Sequence, residues 1–403
     1  AAALSLGDLS AVTADLRLPT TGVNGAAISW ASSSTAAVSA TGKVTRPAAG
    51  QQSATATLTA TLTRGSATET RAFAVTVAAM PGDAELAKAD LDQISIPNAT
   101  DVRGNITLPA TGSVNGTAIT WSATPSGVIS TAPTGGKAAG VVTRGATDTK
   151  VTLTAAASGT SVTRQIEVTV KAAPAGLDKD YTAGYLWTHF ATEGGYEKIF
   201  MGHSTDGLHW EKLNDNKSIL ANLGGDLGVR DPHLVRSPEG DKYWIIGTDL
   251  HAEGGGAGGS GWDQLNASQN IVVWESTDLV NWSDQRIVFA GFDKAGCVWA
   301  PEAIYNEATG EYYVYWAARD QTDNNTPDWA LRMYLTKTRD FTTFTEPEIW
   351  TTLNPKGDGQ GGRNIIDSTI AKEGDTYYRF STSDWDTVVD TAPSLDGPWT
   401  RRI

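Results

Sequence analysis

Cysteine is almost missing from this chain: Cys297 is the single one among 403 residues. No internal disulfide can form, no cysteine cluster can bind a metal, and stability has to come from buried cores. Long apolar runs are missing as well, and no stretch approaches the roughly 18 residues that a membrane-spanning helix needs. Positive charge is in short supply, with 31 Lys and Arg against 45 Asp and Glu and a net charge of −14. Such a surface repels phosphate backbones and anionic lipid heads, which argues against nucleic acid and membrane insertion and for a neutral ligand. The start Ala1-Ala2-Ala3-Leu4 lacks the charged and apolar regions of a secretory leader, so any export signal is expected to be already removed.

What is present first is an internal copy. Leu18-Pro19-Thr20-Thr21-Gly22 leading to Trp30 returns as Leu108-Pro109-Ala110-Thr111-Gly112 leading to Trp121, and Gly42-Lys43-Val44-Thr45-Arg46 returns as Gly140-Val141-Val142-Thr143-Arg144. Both copies close on a period-two run, Ala74-Val75-Thr76-Val77 and Glu167-Val168-Thr169-Val170. Short Val/Thr/Ile runs, Asn-Gly turn signals and one Trp per copy describe a β-sandwich whose Trp fills the core or, alternatively, stacks on a sugar. Neither copy gathers titratable residues that could do chemistry, so both read as spacers. The copies resemble the bacterial immunoglobulin-like modules of extracellular carbohydrate enzymes, with boundaries at 1–79 and 84–172 and a third domain at 180–403.

The third segment has a different texture, since only Trp30 and Trp121 of the 14 tryptophans precede it. A phrase recurs in it: Ser204-Thr205-Asp206 before Trp210, Ser276-Thr277-Asp278 before Trp282, Thr338-Arg339-Asp340 before Phe344, and Ser394-Leu395-Asp396 before Trp399. Spacing of this order, with about four strands per repeat, marks propeller blades. In each phrase the Asp has a plain structural task, capping backbone donors in a turn. The phrase is one residue shorter than a sialidase Asp-box, and no arginine triad supports a sialidase.

Innermost propeller strands face the axis, so blade starts are where a site would be built. The first opens with Val229-Arg230-Asp231-Pro232-His233, the second with Trp299-Ala300-Pro301-Glu302, and the third with Asn364-Ile365-Ile366-Asp367. This succession, each followed by a Tyr-rich second strand, resembles glycoside hydrolase family 43 over roughly residues 182–403. The resemblance implies an all-β fold, two immunoglobulin-like β-sandwiches followed by a partial five-bladed β-propeller. It also implies inversion, with Asp231 as the base that activates water and Asp367 as the carboxylate that tunes the acid. Inversion wants carboxyls about 6.5–9.5 Å apart, which facing strands of a propeller mouth can supply. The alternative for Asp231 is a turn or an ion pair with Arg230, and Asp367 too has a structural alternative. Glu302 is a substrate contact or a strand-end residue, Trp299 stacks on a sugar or fills the core, and His233 binds substrate or is a packed strand residue. The glycine-rich stretches 253–261 and 355–362 are expected to border the mouth.

The family's general acid is a Glu opening a fourth blade, and no residue here matches it. The chain is therefore expected to be a C-terminally truncated fragment that hydrolyses no glycoside at a useful rate. Residues 184–203 are expected to form outer strands of a closing blade. No cofactor and no metal ligand set is called for, although a calcium ion on the propeller axis occurs in part of the family. The function expected of the whole is an α-L-arabinofuranosidase, with β-xylosidase, endo-arabinanase and exo-galactanase as neighbours; a glycan-binding or adhesion protein is the alternative. The expected setting is a monomer, secreted or on a bacterial surface, acting on plant cell-wall polysaccharide.

Overall fold

The computed structural model describes residues 2–176, 184–252, 261–321, 330–351, 364–383 and 386–402. Residues 253–260 and 355–362, expected at the mouth, lie outside them. Two compact units are formed, one from Ala1–Ile94, Pro109–Thr120 and Thr154–Arg164, the other from Ser95–Leu108, Trp121–Leu153 and Gln165–Ile403.

In the first copy, β1 (Ala27–Ser32), β2 (Ala54–Arg64) and β3 (Ala67–Val77) make an antiparallel sheet in that order. Alternation along β2 buries Ala56, Leu58 and Ala60 and leaves the Thr between them outside the core. Outside this sheet the copy has only isolated bridges such as Val38 with Val44, while Val12 bridges to the end of β3 at Val77. Trp30 fills the core: it packs against Phe73, with ring centroids 5.7 Å apart, and its indole N–H donates to the Pro19 carbonyl at 2.9 Å. One element departs from the all-strand reading, the helix α1 (Asp83–Asp92). Its buried Asp90 accepts backbone N–H groups from Val114, Asn115 and Thr117. Burial opposes the Asp90 charge, but these bonds outweigh it and hold the carboxyl at about 2. Residue 112 has to be glycine, because a Cβ there would lie 2.2 Å from Asp90 Cγ.

The second copy has the sheet β4 (Ile119–Thr124), β5 (Thr149–Ala157) and β6 (Thr163–Val170), and repeats the bridge of the first as Val102 with Val170. Its core of Ile96, Val102, Ile129, Val151, Leu153 and Val168, with Trp121 packed against it, belongs to the second unit.

Blade sheets follow. The first has three strands, β7 (Tyr185–Glu193), β8 (Tyr196–Ser204) and β9 (Glu211–Lys212). Next come β10 (Val229–Arg236), β11 (Tyr243–Asp249), β12 (Asn270–Ser276) and β13 (Arg286–Phe289), then β14 (Trp299–Asn306), β15 (Glu311–Ala318), β16 (Arg332–Thr338) and β17 (Glu348–Thr351). The last is β18 (Ile366–Glu373), β19 (Thr376–Ser383), β20 (Asp386–Ala392) and β21 (Thr400–Arg401). Each four-stranded sheet is an antiparallel meander, and the first strands adjoin, β10 against β14 and β14 against β18. β8 ends on Ser204 where β12 ends on Ser276 and β16 on Thr338, so β7 to β9 hold the second, third and fourth places of a blade. Among the described residues no strand pairs with the other edge of β7.

Aromatic side chains weld neighbouring blades. Trp244, Tyr312, Trp316, Tyr334 and Phe341 share one buried cluster across the second and third sheets. The recurrent Asp does cap its turn: Asp206, Asp278 and Asp340 each accept two backbone N–H groups at 2.8–2.9 Å. The residue after each adopts the left-handed conformation, with φ of 75° at Gly207, 63° at Leu279 and 51° at Phe341.

The second copy is no free spacer. Asp241, in the hairpin between β10 and β11, takes the guanidinium groups of Arg103 at 3.0 Å and Arg144 at 2.6 Å. Arg339 of a blade turn donates to the carbonyls of Ile106 at 2.7 Å and Ala139 at 2.6 Å. Asn98 donates to Glu275 at 2.8 Å, and Asn105 to the Gly310 carbonyl at 2.9 Å.

Candidate active site

The three complete first strands share one irregularity. Each carries a β-bulge, between Arg230 and His233, between Trp299 and Glu302, and between Ile366 and Thr369. In each the residue after the last ladder pair before the bulge turns left-handed, with φ of 49° at Asp231, 49° at Ala300 and 50° at Asp367. Non-glycine residues avoid this region, Asn, Asp and His less than the others, so the bulge re-aims a side chain at a conformational cost. Gly247 stands opposite the first bulge, where a Cβ would come within 2.8 Å of Val229 Cγ2 and 3.1 Å of the Arg230 carbonyl oxygen. The register fixes which residues are equivalent. Asp231, Ala300 and Asp367 occupy the same place, whereas Glu302 takes the place of His233, so the second blade start carries no carboxylate at the bulge.

Asp231 is half-buried and accepts a 3.0 Å hydrogen bond from the Thr248 hydroxyl on β11. Burial pushes its carboxyl up; the Thr248 bond and the Arg230 charge oppose this without cancelling it. The expected alternative, a pair with Arg230, is replaced: Arg230 reaches Glu197 at 3.4 Å and lies over the Phe190 ring at 4.3 Å and the Trp262 ring at 4.7 Å. Asp367 is open to solvent on one side, yet its carboxyl is pushed up to about 6 by the protein around it, then by the charge of Asp231, then by that of Glu302. The three acids therefore stand within one electrostatic field.

Glu302 accepts the Tyr315 hydroxyl at 3.2 Å and faces His233 Nδ1 at 3.7 Å, while His233 Nε2 lies 3.1 Å from the Ala303 carbonyl. Trp299 is half-buried against Ala267, Cys297 and Leu331, and meets Trp262 edge-on at 6.1 Å. Cys297 is inert, its thiol pushed up to about 12 by burial. Among the described residues no three His, Cys, Asp or Glu side chains stand together as metal ligands.

Residues 180–401, more than half of the chain, match the family described as a probable glycosyl hydrolase domain, related to glycoside hydrolase family 43. The chain belongs to this family. Residues 1–80 and 84–173 match the atrophied bacterial Ig domain, which agrees with a regular sheet accompanied by mere bridges. An α-L-arabinofuranosidase of Bifidobacterium longum subsp. longum is 34% identical over 401 residues, covering 89% of this chain and 35% of that protein. The chain thus spans about a third of that relative's length. Among solved structures, an exo-β-1,3-galactanase from Phanerochaete chrysosporium aligns at 14% identity with a TM-score of 0.38, over 55% of this chain and 48% of its own. An α-L-arabinanase from Penicillium chrysogenum aligns at 15% and 0.38, over 55% and 63%.

Three groups of the glycosyl hydrolase domain escaped the sequence reading. Thr248 gives no signal because its partners, Asp231 and Ala300, belong to other strands. Arg230 was visible only as a neighbour of Asp231, and its aromatic flanks come from β7 and from Trp262. Trp262 is 62% exposed, and an exposed Trp outside any strand pattern could have been singled out as a sugar platform.

Proposed function

We propose that the glycosyl hydrolase domain removes α-L-arabinofuranosyl units from plant polysaccharides with inversion of configuration. In this reading Asp231 takes a proton from water as the water attacks the anomeric carbon, and Asp367 tunes the field in which the acid works; the acid itself is assigned to no residue of this chain. Sugar faces stack on Trp262 and Trp299, and His233 and Glu302 contact hydroxyls. The observation that carries the reading is that Asp231 and Asp367 take the same left-handed bulge position on two first strands, where the charge of Asp231 helps to raise the Asp367 carboxyl to about 6; two carboxyls that act on each other's ionisation are what acid–base glycoside chemistry uses. The named activity of the Bifidobacterium longum relative supports the arabinose preference. A polymeric substrate places the work outside the cell, and a monomer suffices for it.

The test is Asp231→Ala in the full-length protein, assayed on aryl α-L-arabinofuranosides and aryl β-D-xylosides. We expect the parent to prefer the arabinofuranoside and the variant to lose about 10²–10⁴ in kcat with KM little changed. Turnover near the parental rate on both substrates would move the base elsewhere, and binding of arabino-oligosaccharides without any cleavage by the parent would make the domain a lectin.

A further inference from the structure

Thr248 sits at the meeting point of two blades and is fully buried. It lies on β11, paired across the ladder with Arg230, and its hydroxyl accepts the Ala300 backbone N–H at 2.8 Å while donating to Asp231 Oδ2 at 3.0 Å. A hydroxyl has one hydrogen, and the Ala300 amide can only donate, so that hydrogen is committed to the carboxylate. The direction is thereby fixed as amide to hydroxyl to carboxylate. Both ends of this relay are left-handed bulge residues of first strands. The bulge itself does not call for a hydroxyl: across the ladder from the second bulge, Trp299 pairs with Ala317.

We propose that Thr248 is a positioning residue that holds Oδ2 of Asp231 and so leaves Oδ1 as the oxygen that takes the proton from the attacking water. The proposal rests on the assignment of Asp231 as base. The second blade takes part through the Ala300 amide, which orients the hydroxyl. Loss of the hydroxyl lets the carboxylate rotate and removes a donor that favours its ionised form, so the base is both misaimed and harder to deprotonate.

The experiment compares Thr248→Val, Thr248→Ser and Asp231→Ala in the full-length protein, reading kcat, KM, the pH profile of kcat/KM and the thermal midpoint. The Val variant should lose about 10–100-fold in kcat with KM within about threefold, and the acid limb of its profile should move to higher pH. The Ser variant should keep kcat within about threefold and the parental limb. Should the Val variant not fold, Thr248→Ala is read against Ser in the same way. A Val variant with parental kcat and parental limb overturns the proposal. So does an equal loss in Val and Ser, which would mark a packing role. Asp231→Ala separates the levels: if it keeps parental turnover, the base assignment falls with the proposal, and if it is inactive while Val is normal, only the proposal falls.

Discussion

The positions of Asp231 and Asp367 at blade starts were readable from sequence, through the blade repeat and the resemblance to glycoside hydrolase family 43. Their shared left-handed backbone was not, because φ depends on the opposing strand, here Gly247 for Asp231. The place of Glu302 was hidden for the same reason: the bulge at Ala300 and Pro301 sets it two residues beyond Ala300, at the position of His233. Asp367 carries a prediction of its own. Its folded carboxyl stands at about 6 against an ordinary 3.8, so between these values the folded state holds a proton that the unfolded chain has released. Stability then falls as pH rises through that window, because ionisation is disfavoured only in the folded state. Asp367→Asn removes the effect, and its thermal midpoint should gain on the parent as pH rises from about 4 to above about 6. Parallel midpoint curves would show that Asp367 ionises freely. Solvent on its open side keeps the gain modest.

At the scale of elements, the blade repeat was legible because turn chemistry recurs in the chain: the Asp of each phrase closes its turn through local backbone bonds, which sequence spacing records. α1 too has its signals in the sequence. Asp83 and Glu85 sit in its first turn, Glu85 closes on the Gly82 N–H at 2.8 Å, and Ala and Leu recur through it, all helix signals. The aromatic welds were legible as composition only, since Tyr312 and Trp244 meet across blades at 5.3 Å and a list of tryptophans does not say which faces which.

For the whole molecule, the core of the second Ig-like copy and the blades share one unit, and groups 97 to 233 residues apart in the chain build the joint. Charge pairing of this kind leaves no local trace in sequence, so the copy read as a spacer. Burial opposes the Asp241 charge, and Arg144 and Arg103 together hold its carboxyl below the usual range. Asp241→Ala leaves Arg144, only 5% exposed at its side chain, without its carboxylate. We expect a loss of about 2–5 kcal/mol and, by calorimetry, a transition for the copy that separates from that of the blades; an unchanged single transition would return the copy to a spacer. The central claim is that Asp231 directs water to the face opposite the leaving group. It is tested most directly by supplying azide to the Asp231→Ala variant of the full-length protein with an aryl α-L-arabinofuranoside and determining the configuration of the product by NMR. The account predicts β-L-arabinofuranosyl azide, formed by the anion in the place of the activated water; the α-configured azide would contradict it.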